Sequence, residues 1–417
     1  MSLKVAAVAE KLPEVVVRAY DEERDKAAVE ELESRCEVGQ EGKPRLVVDL
    51  LDDPIGRVRN APLHLMMVAE HGISKEIVGV IRGSIRTVTR GKKGKNDNST
   101  DYVDVAYILG LRVSSQHRRL GIGTKLVQSL ENWSRSNGAE YIYMATDCSN
   151  QASINLFTGT LNYVKFRTPS VLVQPVHRHK KPVGSDVAVV RVPAKLAESY
   201  YHRVFDGSSE FFPKDINLVL NNKLNLGTFM AVPKESLSTW DPDSGVFPPN
   251  HAILSIWNAK EVYKVQLKGL SGLKQACFLG TRVLDRLIPW LRLPSVPNVS
   301  KTFGYYFLYG LRMEGQSGSK MMESLCAFAH NVARNDRRGC ELLIAEVSPD
   351  DPVRRGIPHW KNFSWQDLWC IKELGLVGDN DDDNNKAANI VHGSSEDSSI
   401  MYHDSTYALI FVDPRDI

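Results

Sequence analysis

The chain has 417 residues, a length that predicts two or three domains. Its 52 basic and 50 acidic residues leave a net charge of +2. This near balance argues against electrostatic binding of nucleic acid by the chain as a whole. No apolar run approaches the ~20 residues of a membrane helix, and the six cysteines form no CxxC pair, so we expect an intracellular soluble protein without a metal site or a disulfide framework.

Strands and helices alternate in the first part of the chain. A strand is predicted at 15–21, and a helix at 22–37, where apolar residues recur every three or four positions. Two strands joined by a turn are predicted at 63–70 and 76–91. Residues 91–100 are polar and basic, and we expect a solvated hairpin tip, with a nucleic-acid contact as the less favoured alternative.

The next predicted strand, 104–113, leads into the turn HRRLGIGTKLV at 117–127 and then into an amphipathic helix. A strand is predicted at 141–146, followed by a short helix capped by Ser149. The segment 164–173 closes this predicted unit.

A second, similar unit is predicted in the C-terminal half. Gly-Leu-Arg occurs at 110–112 and 310–312, and a lysine-led helix follows it in each half before a Gly-x-Glu tripeptide and an apolar strand. This order predicts a duplicated strand–helix–strand unit. The second copy is shorter where the first has its arginines and Gly-x-Gly, so it lacks that turn.

The turn after the 104–113 strand has the residue types of an anion site. A strand, a glycine turn and a helix start bring backbone N–H groups together. Gly121 and Gly123 remove Cβ atoms that would keep phosphate oxygens away, and Thr124 adds a hydroxyl. Arg118 and Arg119 supply guanidinium groups that match phosphate geometry. Neither the P-loop nor the GxGxxG pattern fits, and the residues indicate a pyrophosphate ligand.

The pattern Arg118-x-x-Gly121-x-Gly123, between this strand and helix, resembles the cofactor motif of the GCN5-related N-acetyltransferase (GNAT) family. A second family motif is matched in part at residues 150–157. The resemblance covers residues 15–173, and it implies a mixed sheet splayed at the turn and acetyl-CoA as co-substrate. By the same resemblance, acetyl-CoA is held by Leu111, Arg112, Val113, Arg118, Arg119, Gly121, Ile122, Gly123, Thr124, Asn150, Asn155 and Phe157.

The predicted fold class is therefore α/β (α+β). We expect tandem GNAT-like domains, each a mixed, splayed sheet flanked by helices, with the second one degenerate. The first domain is placed at 14–178, a linker at 179–185 and the second domain at 186–417. An acidic, polar stretch at 378–405 predicts a disordered insertion, followed by a strand that returns to the fold.

The catalytic positions depart from the family pattern. The usual glutamate base falls at Tyr107, and the usual tyrosine acid falls at Phe157, whose ring we expect beside the cofactor or in the core. A tyrosine with a pKa near ~10 is a poor base at neutral pH. Tyr107 is nonetheless the catalytic candidate, as a residue that orients water or substrate. Some family members pair such a tyrosine with a histidine, and here that position is Ala145. The resemblance also implies a backbone amide within 111–113 as oxyanion donor.

Other polar residues are weaker candidates. Asp147 either faces the cleft or leads a helix, and His117 contacts phosphate or solvent. His64 is expected in the core and Asp104 at the surface. In the second half the candidates are Tyr305, Tyr306, His359 and Trp360. The segment RRGIPHWK, which contains the last two, is either a turn at a domain interface or a substrate or partner site.

The segments SRCEVG, NNKLNLGTF and RRGIPHWK extend the resemblance over the whole chain, to the plant Hookless-type N-acetyltransferases. This implies ethylene- and auxin-linked growth of the apical hook, regulatory protein partners, and the nucleus in preference to the cytoplasm. Two functions stay open. The favoured one is an acetyl-CoA-dependent transfer to a protein or small-molecule amine by direct attack. The alternative is an acyl-CoA-binding scaffold that acts through partners. Neither a membrane nor direct nucleic-acid binding is expected, and the sequence does not identify the acceptor.

Overall fold

The structure is a computed structural model that describes residues 15–36, 45–93, 100–336, 339–375 and 409–417. The predicted insertion at 378–405 and most of the predicted hairpin tip lie outside these residues.

The strands are β1 (Val15–Ala19), β2 (Arg45–Asp49), β3 (Leu63–His71), β4 (Glu76–Lys93), β5 (Thr100–Val113), β6 (Tyr141–Asp147), β7 (Val164–Arg167), β8 (Ser170–Pro175), β9 (Val187–Val192), β10 (Glu210–Pro213), β11 (Asn225–Pro233), β12 (His251–Trp257), β13 (Lys264–Lys268), β14 (Gly304–Glu314), β15 (Cys340–Val347) and β16 (Trp365–Glu373). The α-helices are α1 (Glu22–Arg35), α2 (Ile122–Ser136), α3 (Gln151–Ile154), α4 (Ala194–Phe205), α5 (Ile216–Leu220), α6 (Lys234–Leu237), α7 (Gly272–Leu287) and α8 (Gly318–Asn335).

One mixed sheet of 14 strands runs through both halves of the chain, in the order β1-β3-β4-β5-β6-β16-β8-β15-β14-β12-β11-β9, with β10 joined to β4 and β7 to β16. A separate pair joins β13 to β2. Helices pack on this sheet, and the predicted α/β class with a mixed sheet is confirmed.

The two halves exchange strands at the centre of the sheet. β16, from late in the chain, pairs antiparallel with β6, and β8, from the first half, pairs antiparallel with β15. The segment predicted as a linker is also held in place, because the Asn331 side chain bonds both backbone groups of Lys181 at 2.9 Å. Each half therefore completes the sheet of the other.

The segment 164–173, predicted to close the first unit, forms two strands, β7 and β8, that are separated around Pro169. Proline has no N–H to donate to a ladder, and the two pieces pair with different strands, β16 and β15. The returning strand predicted near the C-terminus is reduced, in the described residues, to a parallel bridge between Ile410 and Glu210.

The repeated Gly-Leu-Arg tripeptides have the same backbone in both halves. Gly110 has φ +63° and Gly310 has φ +61°. Each lies at a register shift, where β5 pairs with β4 and β14 pairs with β12. Left-handed φ is accessible to glycine at little energetic cost, and such bulges bend a strand. The duplicated tripeptide thus bends two inner strands, β5 and β14, once each.

The two faces of the first half of the sheet have different neighbours. On one face α2 packs so closely that a Cβ on Gly83 would lie 2.7 Å from the Leu130 side chain. The opposite face joins an aromatic core shared by both halves, which includes Tyr107, Tyr143 and Trp369. The candidate site lies where β5 bends between these two faces.

Candidate active site

β5 and β6 are parallel neighbours over only four residue pairs. Their register runs from Val105↔Tyr141 to Ile108↔Met144. Beyond this point β5 stays with β4 as far as Val113, while β6 stays with β16 as far as Asp147. Within the described residues, no strand pairs with the β5 edge at 109–113. The two strands diverge there, which opens a wedge in the sheet beside an edge of β5 that has no strand partner.

The predicted anion turn closes the top of this wedge. Gly121 is the N-cap of α2 with φ 75°, and no side chain caps this end among the described residues. The first N–H groups of a helix have no partner within the helix, and the helix dipole makes this end electropositive. Arg118 and Arg119 are exposed beside it. The turn therefore presents open donors and two cations to one region of solvent.

Glycine occurs at positions 121 and 123 of the turn for two different reasons. Gly121 needs its left-handed φ, although a Cβ there would meet no atom within 4 Å. At Gly123 a Cβ would lie 3.4 Å from Leu156 Cδ2, which is ordinary contact. The fold alone therefore tolerates a side chain at Gly123, and a close-lying ligand gives a reason for its absence.

Several of the other predicted cofactor residues also have structural tasks. Leu111, Arg112 and Val113 are partly buried. Arg112 forms an ion pair with Glu33, in which Nε lies 3.5 Å from a carboxylate oxygen. Ile122 is buried in the core under α2. Asn150 caps α3, replacing the predicted cap Ser149, and also donates to the Thr146 hydroxyl at 3.0 Å.

The remaining cofactor candidates are Asn155 and Phe157 of the second motif and Thr124 of the turn. Asn155 is exposed and accepts a 2.6 Å hydrogen bond from Gln151. Phe157 is only 1% exposed, and its ring packs edge-on against Tyr163 with centroids 5.0 Å apart. Of its two expected locations, the ring occupies the core. Thr124 is partly buried in the first turn of α2.

Tyr107 lies on the sheet face opposite α2, stacked on Tyr143 with ring centroids 4.6 Å apart. Burial raises the pKa of Tyr107 well above its ordinary value, and the Asp416 charge raises it further, while Arg57 opposes them. The phenol therefore stays protonated at neutral pH. Tyr107 can donate or orient, but it cannot serve as the base.

Asp416 supplies a carboxyl group that sequence reasoning missed. Its Oδ2 accepts a 2.7 Å hydrogen bond from the Tyr143 hydroxyl and another from Arg86. Its Oδ1 is buried and has no hydrogen-bond partner among the described residues. Burial raises the pKa of Asp416 above its ordinary value. A carboxyl with a raised pKa and a free oxygen is suited to accept a proton near neutral pH.

The segment that carries Asp416 is anchored by ion pairs. Asp413 lies 2.8 Å from Arg86 and 2.7 Å from Arg415. Although burial acts in the opposite direction, these two guanidinium groups lower the pKa of Asp413. Arg415 also reaches Asp215 at 2.7 Å. The only sequence signal for this cluster was the charged DPRD run after an apolar stretch.

The same face gathers further groups from the second half. Tyr305 bonds Tyr263 through their hydroxyls, and the Arg57 guanidinium lies 4.8 Å from the Tyr263 ring centre. Trp369 donates from its indole to Glu346 at 3.0 Å, and burial raises the pKa of Glu346. Carboxyl and aromatic groups thus surround the stacked rings of Tyr107 and Tyr143.

Four other candidates from the sequence have local partners in the first half. Asp147 accepts the Ser149 N–H at 2.6 Å, so it leads a helix. The ring centroids of His117 and His71 lie 4.8 Å apart, His64 contacts the Ala61 carbonyl, and Asp104 accepts from Thr87.

The second-half candidates are also held structurally. Tyr306 faces away from the shared core and bonds Asp336. His359 contacts the Ile357 carbonyl at 2.9 Å, and the backbone N–H of Trp360 donates to Val173 O at 2.9 Å, so this turn links the two halves.

The corresponding wedge in the second half is narrowed by side chains. The side chain of Asn250 accepts the Ser317 N–H at 3.3 Å, so it occupies the N-terminal end of α8. Phe411 packs edge-on against Tyr309 and Phe205 near the point where β14 and β15 diverge. A cavity remains at this point, lined by Gly310, Leu311, Glu346 and Phe411 among others.

In the described ranges, no helix is long and apolar enough to span a membrane, and no group of three or more His, Cys, Asp or Glu residues is placed to hold a metal.

Comparison with known proteins agrees with this geometry. Residues 26–162 match the model of the acetyltransferase (GNAT) family. The chain is 50% identical over 388 residues to "Probable N-acetyltransferase HLS1" of Arabidopsis thaliana, covering 87% of this chain and 95% of that protein. It is 41% identical over 397 residues to "Acetyl transferase GW6a" of Oryza sativa subsp. japonica, covering 86% and 91%.

Among solved structures, N-myristoyltransferase of Saccharomyces cerevisiae with bound myristoyl-CoA is similar at a TM-score of 0.51 and 10% identity, covering 86% of this chain and 79% of that one. At this identity the likeness concerns the fold alone.

Proposed function

This chain belongs to the acetyltransferase (GNAT) family, and we propose that it transfers an acetyl group from acetyl-CoA to an amine of a protein or small-molecule acceptor. The observation that supports this most strongly is the juxtaposition of an open helix N-terminus at Gly121 with the free edge of β5. Tyr107 and Asp416 lie on the other face of the same strands.

In this proposal the turn from Arg118 to Thr124 binds the diphosphate of the co-substrate. Backbone N–H groups and the helix dipole supply the attraction, and the two arginines add charge. The extended arm of the co-substrate lies along the β5 edge at 109–113, where no strand pairs with β5 on the β6 side within the described residues. A backbone amide from this edge stabilises the oxyanion, and preorganised donors of this kind often contribute most to acyl transfer.

Asp416 is the proposed base. The acceptor nitrogen attacks the thioester carbonyl carbon, the C–N bond forms and the C–S bond breaks. The proton lost by nitrogen passes to Asp416, either directly or along the Tyr143 hydroxyl, which is already hydrogen-bonded to it. Tyr107 remains protonated and donates a hydrogen bond to the leaving sulfur or to the acceptor. Asp416 thus supplies the carboxyl that the family pattern would have placed at position 107.

Calorimetric titration of acetyl-CoA, CoA and pantetheine tests the co-substrate site. We expect binding of both CoA forms and a large loss for pantetheine, which lacks the diphosphate. The Gly123→Val variant should lose CoA binding, and Gly123→Ala, whose Cβ meets only ordinary contacts in the fold, should weaken CoA binding without loss of stability. Equal binding of pantetheine and CoA would contradict the proposal.

The alternative, an acyl-CoA-binding scaffold that acts through partners, has one observation in its favour. Tyr107 is buried with a raised pKa and cannot be the base, so catalysis depends on Asp416. An Asp416→Asn variant that binds acetyl-CoA normally and retains full biological activity would support the scaffold. Loss of turnover with binding intact would support the enzyme.

The resemblance of the whole chain also supports a proposed biological setting. We propose a role in ethylene- and auxin-linked differential growth, with acetylation or partner binding in the nucleus. Seedlings that carry only the Gly123→Val or the Asp416→Asn variant would separate the need for co-substrate binding from the need for transfer. Normal hook growth in both would contradict a role for this site.

A further inference from the structure

Three arginines converge on one carboxylate beneath the bend of β5. Glu33, near the C-terminal end of α1, is only 5% exposed. It accepts a 2.7 Å hydrogen bond from Arg82 Nη1 and lies 3.5 Å from Arg112 Nε. Although burial acts in the opposite direction, these two arginines and Arg57 lower the pKa of Glu33. We call Arg57, Arg82 and Arg112 the arginine cluster.

The arginine cluster adjoins the open wedge. Gly83 faces α2, and side chains alternate along a strand, so the neighbouring Arg82 points to the opposite face of the sheet. A Cβ at Gly110 would lie 2.7 Å from Arg82 Nη1, so this guanidinium lies directly against the bend of β5. Burial raises the pKa of Tyr107, and the nearby Arg57 charge opposes this shift. The cluster is therefore on the face that carries Tyr107.

Each guanidinium of the cluster has a buried nitrogen without a hydrogen-bond partner among the described residues. These atoms are Arg57 Nε, Arg82 Nη2 and Arg112 Nε. Arg82 as a whole is 1% exposed. Buried donors in folded proteins are nearly always hydrogen-bonded. Three unsatisfied donors in one place therefore indicate a site for the oxygen atoms of a ligand.

The cluster also carries an excess of positive charge. Within the described residues, Glu33 is the only carboxylate that forms an ion pair with its members. Arg57 has an aromatic partner instead, since its guanidinium lies 4.8 Å from the Tyr263 ring centre. Burial lowers the pKa of Arg112, and the two other guanidinium groups lower it further, although Glu33 opposes them. Because uncompensated buried charge is costly, a bound anion would stabilise this arrangement.

The cluster is accessible from one side. The Arg112 side chain is 20% exposed and Arg57 is partly buried, whereas Arg82 forms the closed end. The planar fork of a guanidinium matches the oxygen atoms of a carboxylate or a phosphate. The diphosphate of the co-substrate is assigned to the turn before α2, on the other face of the sheet. The second substrate is therefore the better candidate for this side.

We propose that the arginine cluster binds an oxyanion, a carboxylate or a phosphate, that the amine acceptor carries beside its reactive nitrogen. This inference rests on the proposed acetyl transfer and names the chemical class of its acceptor. The bound anion would hold the acceptor on the Tyr107 face of the wedge. Arg57 thus determines specificity and takes no part in bond formation.

The first test requires no turnover. It compares the thermal unfolding midpoint of the full chain in sodium acetate, sodium phosphate and sodium chloride at equal ionic strength, with and without CoA to occupy the turn. Acetate or phosphate should raise the midpoint above that in chloride, and Arg57→Gln should abolish the rise. Arg59→Gln is the matched control, because Arg59 already pairs with Asp53 at 2.6 Å. No rise in the parent chain, or an equal rise in Arg57→Gln, would overturn the proposal.

The second test measures the choice of acceptor. Three short peptides share a free N-terminus and one lysine, and they differ only in the residue beside these amines, which is glutamate, phosphoserine or glutamine. From the release of CoA, the kcat/KM of the glutamate or the phosphoserine peptide should exceed that of the glutamine peptide by at least ~10-fold. Arg57→Gln should remove this preference by raising the KM for the peptide while the KM for acetyl-CoA stays unchanged, and Arg59→Gln should keep it.

The outcomes separate this inference from the proposed function. Transfer at equal kcat/KM to all three peptides would keep the acetyltransferase and overturn the acceptor site. Stabilisation by anions that depends on Arg57, without transfer to any peptide, would contradict the proposed function and with it the assignment to an acceptor. Loss of acetyl-CoA affinity in Arg57→Gln would assign the cluster to the co-substrate instead. Anion binding that emerges only in Glu37→Gln/Glu41→Gln would show that carboxylates of this chain occupy the cluster. Either of the last two results would replace the proposal.

Discussion

The Tyr143 hydroxyl donates a 2.7 Å hydrogen bond to Asp416, 273 positions further along the chain. This contact brings a carboxyl from the C-terminal segment to the strand where the family places its catalytic groups. Tyr143 in turn stacks on Tyr107. An aromatic pair and a distant carboxylate thus form one unit beneath the open wedge of the sheet.

Asp416→Asn should lower kcat by ~100-fold or more, in the range for loss of a positioned acid or base. The affinity for acetyl-CoA should stay unchanged, because Asp416 lies on the opposite face of the sheet from the turn. Asp215→Asn is the matched control, since it removes a carboxylate from the same ion-pair network without touching Tyr143. An equal loss of kcat in both variants would indicate a structural role only.

The pH dependence of turnover should reflect the ionisation of Asp416. Burial raises the pKa of Asp416 above the ordinary ~3.9 of aspartate. Because the base must be deprotonated, turnover should fall as the pH drops through this raised value. In Asp416→Asn the residual rate should lack this acidic limb. A limb that persists in the variant would assign it to another group.

Gly121→Ala and Gly138→Ala form a matched pair at the two ends of α2. Gly121 has φ 75° and Gly138 φ 85°, and a Cβ at either would meet no atom within 4 Å. Left-handed strain should destabilise each variant by a similar ~1–2 kcal/mol in denaturant unfolding. Only Gly121→Ala should also weaken binding of CoA, because only that end faces the proposed diphosphate. Equal CoA affinity in the two variants would remove the turn from the site.

Asp413→Asn should destabilise the fold by ~1.5–3 kcal/mol, the range for a lost hydrogen bond to a charged group. It removes one carboxylate from each of two buried guanidinium groups, while Arg86 keeps Asp416 and Arg415 keeps Asp215. Arg86 and Arg415 lower the pKa of Asp413 below its unfolded value. The Asp413 ion pairs should therefore stabilise the fold fully at a pH above the unfolded-state pKa of ~3.9. This stabilisation should be lost as the pH falls towards the lower pKa of the folded state. Urea unfolding at several pH values measures this, and a variant as stable as the parent would contradict the ion-pair anchor.

The two halves should unfold together. β16 completes the sheet of the first half and β8 that of the second, so each half alone would expose an unpaired strand and the aromatic core. We expect one cooperative transition for the full chain, and aggregation of residues 15–178 when expressed alone. Independent folding of that fragment, with CoA binding, would show that the exchange is dispensable.

Local signals in the sequence were sufficient for much of the first half. The spacing of apolar residues predicted α1 and α2, and the arginines and glycines predicted the turn between β5 and α2. The Gly-Leu-Arg repeat predicted a duplicated unit, and the structure adds that Gly110 and Gly310 share a left-handed φ. These features depend on residues close together in the chain, so short patterns encode them.

Tertiary packing decided the rest. Residues far apart in the chain form the hydrogen bond between Asp416 and Tyr143 and the exchanged pairings of β8 and β16. The break at Pro169 separates two strands because β7 pairs with β16 whereas β8 pairs with β15. The apolar stripe of α7 would ordinarily predict a buried face, but the buried Asp285 holds that stripe outward. The sequence by itself therefore determined the elements and the anion turn, whereas long-range hydrogen bonds and ion pairs decided which side chains meet at the site.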